Sequence, residues 1–245
     1  SSVVNQSYKN WELIIVDDNS DKSTKNILSK YKNKKKIKIY FLHKNKGAAY
    51  CRNLAIKKSK SDYLAFIDSD DLWRTNKLKI QINFMKKNNH FFTYTYYKTF
   101  KLSNPIKKNI IVPDKFNFKS FIRNTSIATS TMIVKRSIAN NIKFSNTKIC
   151  EDYFYKCQLL KKINYAYCCQ SYLSEYQIRK DPDDKNIIMI ENYLTKELLM
   201  TAKYNYIGIY NTKKKIWYWG WSLIKDKKLI EKSLVIKKKI NKKLK

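Results

Sequence analysis

The chain has 245 residues, 43% of them hydrophobic and 14% aromatic, and carries a formal net charge of +33. A chain of this length buries roughly 70–75% of its unfolded surface, and this apolar content excludes wholesale disorder. Its three glycines (Gly47, Gly208, Gly220) cannot build a GxGxxG turn or a Walker A loop, and its two histidines (His43, His90) cannot build a histidine-rich zinc site.

Arginine occurs five times, at Arg52, Arg74, Arg123, Arg136 and Arg179, so lysine carries nearly all the positive charge. Base readout and bidentate phosphate binding favour arginine. The lysine excess therefore reads first as a solvated, compositionally biased surface. An anionic membrane contact comes second and nucleic acid last. The five cysteines (Cys51, Cys150, Cys157, Cys168, Cys169) contain no CxxC pair. They read as small buried hydrophobes in a reducing compartment.

In chain order, residues 11–16 (WELIIV) form an apolar run that ends in the turn Asp17-Asp18-Asn19-Ser20, a strand and then a helix cap. A helix is expected over 23–31, a strand over 37–42 and a helix over 47–58 with Ala48, Cys51, Leu54 and Ala55 inward. The strand 63–67 (YLAFI) runs into Asp68-Ser69-Asp70-Asp71, with Asp71 capping a helix over 78–87. The alternation predicts an α/β fold with a doubly wound, mostly parallel sheet. Beyond it, 91–100 reads as a strand, Pro105 and Pro113 punctuate a loop, 130–134 is a short strand, 151–160 a helix and 165–178 one or two strands. Residues from 185 onward read as helical. Trp219, Leu223, Ile230 and Leu234 fall on one face of a basic amphipathic helix, which suits an interfacial membrane contact.

Of the 19 acidic residues, seven fall in three groups: Asp17-Asp18, Asp68/Asp70/Asp71 and Glu151-Asp152. The first two groups follow strands, at the sheet edge where open α/β sheets bind ligands. Like charges gathered there are tolerable with a cation or a hydrogen-bonding ligand between them. In extended backbone Asp68 and Asp70 point the same way, a spacing that suits Mg²⁺ or Mn²⁺ carrying a diphosphate.

Three stretches, SVVNQSYKNWELIIVDDNSDKST, NKGAAYCRNLAI and SDYLAFIDSDDLWRTNKLKIQ, resemble the nucleotide-sugar half of the family 2 glycosyltransferases, which have the GT-A fold. STMIVKRS, ICEDYFYKCQLL and YQIRKD resemble segments of that family's second half. The resemblance covers roughly residues 1–180 and implies three parts. Residues 1–100 would bind the nucleotide sugar and 101–184 the acceptor, with 185–245 a basic helical extension. It implies inverting transfer of a sugar from a nucleoside diphosphate sugar, a UDP-sugar above all, to a hydroxyl of a glycan or lipid-linked acceptor in envelope polysaccharide synthesis. It implies Asp18 and its neighbour Asp17 on the nucleobase, Arg52 near the nucleotide, Asp68 and Asp70 on the ribose and metal-diphosphate, and Arg179, with Tyr176, near the diphosphate. Asp70 and Asp68 would hold Mn²⁺ or Mg²⁺, and Asp152 would be the catalytic base with Glu151 in support. The expected location is cytoplasmic, peripheral on the inner face of a bacterial plasma membrane.

Two departures stand out. The first strand of the family is missing ahead of NQSY, as in a truncated record, so residues 11–16 and 63–67 should flank an empty place in the sheet. Thr75 stands where the family has proline. The rival readings are a nucleotidyltransferase, a polyanion- or nucleic-acid-binding basic module and a catalytically dead sugar-nucleotide binder.

Overall fold

The computed structural model describes residues 2–101, 104–121, 124–145, 151–177, 204–211 and 216–223. Its elements are β1 (Leu13–Asp17), α1 (Lys22–Ser29), β2 (Ile37–Phe41), α2 (Ala48–Lys58), β3 (Tyr63–Ala65), β4 (Leu72–Trp73), α3 (Lys77–Lys87), β5 (Phe92–Lys101) and β6 (Asn104–Ile110). There follow β7 (Lys115–Phe116), α4 (Phe118–Phe121), a 3-10 turn (Thr129–Thr131), β8 (Ile133–Lys135), α5 (Arg136–Ala139), α6 (Glu151–Lys162), β9 (Ala166–Gln177), β10 (Tyr204–Asn211) and β11 (Ile216–Leu223). The chain divides into two compact units, residues 1–118 with 126–181, and residues 119–125 with 182–245.

In the first unit local chemistry sets the helix starts. Asp21 is extended and its carboxylate accepts from the Thr24 N–H at 2.7 Å, which begins α1. Gly47 precedes α2 with φ 85°, a conformation that costs a glycine little. Along α3, Leu78, Ile82 and Met85 recur at i, i+4 and i+7 and pack with Val3, Trp73 and Ile133 into one cluster.

The larger sheet runs β3-β8-β5-β9-β4, with β6 beside β5 and β7 beside β9. On central β5, Phe92, Thr93, Tyr94 and Thr95 are all buried, as both faces of the strand are covered. The sheet is mixed. The two longest ladders of this unit, β1–β2 and β5–β9, are parallel, and the shorter ones are antiparallel. β1 pairs with β2 in a two-stranded sheet, β3 pairs with β8, and no ladder joins β1 to β3.

Four expectations need correction. The helix expected past residue 185 is replaced, where the chain is described, by the antiparallel pair β10–β11, with Tyr206 opposite Trp221 and Tyr210 opposite Trp217. Trp217, Trp219, Trp221 and Leu223 recur with period two, and aromatic residues suit a strand. Ile230 and Leu234 lie outside the described residues. The loop around Pro105 contains β6, which pairs with β5 alone, and an edge strand tolerates proline. Asp71 does not cap α3, which begins six residues later after Asn76. Ala49 rather than Ala48 is the buried alanine of α2.

Candidate active site

The site is built at the ends of β1 and β3, over the N-terminal half of α2 and the first turn of α6. Asp17, the last residue of β1, is buried, and its Oδ2 accepts from the Ser20 N–H at 3.2 Å. This closes a turn in which Asn19 has φ 63°. The two carboxylate oxygens of Asp18 accept from Lys46 N at 2.6 Å and Gly47 N at 2.8 Å, at the start of α2 where the helix dipole favours an anion. Cys51 lies against Asp18. Burial, then the charge of Asp18, pushes its thiol up to about 12, so it stays protonated near neutrality.

Arg52, the next residue of α2, joins the second and third acidic groups. Nη2 donates to Asp68 Oδ1 at 2.7 Å and Nη1 to Glu151 Oε1 at 2.5 Å, while the guanidinium lies 5.3 Å from the Phe144 ring centroid. Burial disfavours its charge, but Asp68 and Glu151 outweigh burial and raise its pKa. Residues 68 and 151, far apart in sequence, are thus held on one cation.

The loop after β3 is pinned from behind by Ser130. Its hydroxyl donates to Asp71 Oδ2 and accepts from the Asp68 N–H at 3.0 Å, and its carbonyl accepts from Trp73 Nε1 at 2.7 Å. Trp73 is therefore a core side chain. Asp71 Oδ1 accepts from Gln177 N at 2.9 Å. Burial is the largest influence on Asp71 and pushes its carboxyl up to about 6, against the pull of Ser130 and Gln177.

On α6, Asp152 meets the opposite environment. Its Oδ2 accepts from Thr129 Oγ1 at 2.7 Å and from Lys156 Nζ at 2.6 Å. Burial alone would raise its pKa, but Lys156, Thr129 and Arg52 together hold it well below the usual carboxylate range. Tyr176 on β9 marks the meeting point. Burial raises its pKa first, and then the charges of Asp71, Asp68, Asp70 and Asp152 raise it further.

The structure therefore gathers Asp68, Asp70, Arg52 and Asp152, with Glu151 and Tyr176. Asp18 adjoins them through the Cys51–Arg52 step of α2, and Asp17 turns inward. Arg179 lies outside the described residues. Sequence reasoning passed over Thr129, Ser130 and Lys156, although Lys156 stands four residues after Asp152 on a helix, a spacing that signals contact.

Among the described residues, no group of three or more His, Cys, Asp or Glu side chains is arranged to hold a metal ion. Mg²⁺ bound with a diphosphate needs only one or two carboxylates, the phosphate and water supplying the rest. Asp70 and Asp68 are a donor set of that size and hardness, so the residues fit such an ion.

Residues 1–150 match the family described as Glycosyl transferase family 2. The chain belongs to that family. The Bacillus subtilis (strain 168) protein TuaG, named for teichuronic acid biosynthesis, is 35% identical over 179 residues, covering 72% of this chain and 71% of its own. WfgD of Escherichia coli, named as a UDP-Glc:alpha-D-GlcNAc-diphosphoundecaprenol beta-1,3-glucosyltransferase, is 34% identical over 177 residues, 70% of this chain and 69% of its own. Among solved structures, S. aureus TarS 1-349 in complex with UDP-GlcNAc superposes with a TM-score of 0.63 at 22% identity. The match covers 74% of this chain and 54% of that one, so it spans about half of the TarS 1-349 chain. The likeness places the family 2 glycosyltransferase in the GT-A class of α/β folds. Among the described residues, no helix is long and apolar enough to cross a membrane.

Proposed function

We propose that this family 2 glycosyltransferase transfers a sugar, with inversion, from a nucleoside diphosphate sugar to an acceptor hydroxyl in envelope polysaccharide or glycolipid synthesis. The observation that carries this reading is the convergence of Asp68, Asp70 and Asp152 around Arg52 and Tyr176. The activities for which TuaG and WfgD are named support the envelope setting, and the UDP-GlcNAc of the TarS complex supports a UDP-sugar donor.

In this reading Asp152, ionised and partly open to solvent, accepts the proton of the acceptor hydroxyl as its oxygen attacks the anomeric carbon. The bond from that carbon to the diphosphate oxygen breaks on the opposite face, which inverts the centre. Arg52 fixes Asp68 and Glu151, and Ser130 fixes the backbone between them. Asp70 and Asp68 would hold a divalent cation, whose contribution when bound is to neutralise the departing diphosphate.

The experiment is a thermal-shift screen of UDP, UDP-glucose and UDP-GlcNAc with and without Mn²⁺. Stabilisation that requires both Mn²⁺ and the nucleotide is the expected result, and no stabilisation by any donor contradicts the reading. We also place the protein at the inner face of a plasma membrane, held by its lysine-rich surface. Sedimentation with anionic but not neutral vesicles, lost at high salt, is expected. Equal binding to both kinds would argue against it.

A further inference from the structure

We propose that Lys156 is the positioning residue of the candidate base: it engages one oxygen of the Asp152 carboxylate and leaves the other for the acceptor. The inference rests on the reading of Asp152 as base. Lys156 is itself 3% exposed, and its Nζ lies 2.6 Å from Asp152 Oδ2 and 2.7 Å from the carbonyl oxygen of Ile127. The Ile127 bond fixes the ammonium from the core side, so the ion pair is anchored rather than swinging from a flexible stem. Thr129 Oγ1 donates to the same Oδ2 at 2.7 Å. Among the described residues nothing hydrogen-bonds Oδ1, and the Asp152 side chain is 32% exposed. A carboxylate held in this way has one oxygen occupied by two donors and the other, among the described residues, without one.

Such a clamp has a chemical consequence. Two donors on Oδ2, one of them cationic, stabilise the charged form, so Asp152 is ionised throughout the working pH range. It also weakens the carboxylate as a base, because general-base efficiency follows pKa. Among the described residues, several groups face Asp152. From its own helix come Lys156 and Cys157, from the 3-10 turn Thr129, from α2 Arg52 and from β9 Tyr176. Burial pushes the Cys157 thiol up to about 11, so it carries no charge near neutrality. Without Lys156, burial is opposed chiefly by Thr129 and the more distant Arg52. The proton affinity of Asp152 then rises.

The test is the titration of Asp152 followed by NMR on protein labelled at the aspartate side-chain carboxyl carbon. The Asp152→Asn variant assigns the resonance. In the natural sequence the resonance is expected to stay put between pH 4 and 8. In Lys156→Met it is expected to titrate inside that window, above the ordinary midpoint of ~3.9. Lys156→Gln removes the charge but keeps a donor for Ile127, and it is read the same way should the methionine variant fail to fold. A variant that melts earlier but leaves the Asp152 resonance unmoved from pH 4 to 8 shows a merely structural lysine and overturns the proposal. UDP release from UDP-GlcNAc, measured against pH on the same variants, separates the two layers. An acid limb that appears where Asp152 titrates supports clamp and base together. If the midpoint moves and the rate profile does not, the clamp stands and the base assignment fails.

Discussion

Asp71 and Asp152 share a side chain and are driven in opposite directions. Asp71 is buried among neutral donors, Ser130 Oγ and Gln177 N, and is pushed up to about 6. Asp152 has an ammonium at 2.6 Å and is held low. Pairs of acids whose surroundings separate their proton affinities divide the chemical roles between them. Here Asp71 shapes the loop and Asp152 keeps its charge. Replacing Asp152 by Asn should lower turnover by roughly 10²–10⁴-fold while donor binding persists. Glu151→Gln should cost less, because Glu151 acts through Arg52. Both are read as UDP release with a saturating donor. A dead Glu151 variant beside an active Asp152 variant would reverse the assignment within the pair. The carboxylates themselves were legible in the sequence, since few acids in a lysine-rich chain make clusters conspicuous. Their partners were not. Ser130 lies some sixty residues from the Asp68 loop and reaches it through the pairing of β3 with β8, while Thr129 lies 23 residues before the Asp152 that it contacts.

Among the elements, α3 holds the least expected group. Lys77 is fully buried, donates to Gln81 Oε1 at 2.5 Å and lies 4.7 Å from the Trp73 ring centroid. Burial pushes its pKa down to about 7. The sign follows from linkage. Between pH 7 and about 10.4 the unfolded chain holds a proton that the folded chain lacks, so stability rises with pH across that window. Below pH 7 the folded state must also charge the amine, and the cost is at its largest. Urea unfolding at pH 7 and pH 9 should therefore show the natural sequence gaining about 2 kcal/mol more than Lys77→Met. Equal gains in both would show that Lys77 stays charged in the core. The elements of residues 11–87 were legible because strand and helix alternate there with caps and turns between them. β4 was not, because two residues carry no period and its pairing comes from β9, about a hundred positions later. At the C-terminal end, Trp219 and Leu223 satisfy the helical i, i+4 spacing and the strand period of two at once. Only the alternation of Trp217 and Trp221 with them separates the two readings, and β11 follows it.

For the whole molecule, the charge of +33 distracts from the proposed function, which we assign to a few acids gathered around Arg52. The second half of the catalytic unit returns to the first through β8 and β9, and so brings Asp152 to Asp68. The central claim is that this family 2 glycosyltransferase binds its donor through a carboxylate-held cation and the diphosphate together. Calorimetric titration of UDP into the protein, with and without Mn²⁺, tests it most directly, repeated on Asp70→Asn. The account predicts binding that needs Mn²⁺ and is lost in the variant, with the fold intact by circular dichroism. Binding of equal strength without Mn²⁺, or unchanged in Asp70→Asn, would contradict it.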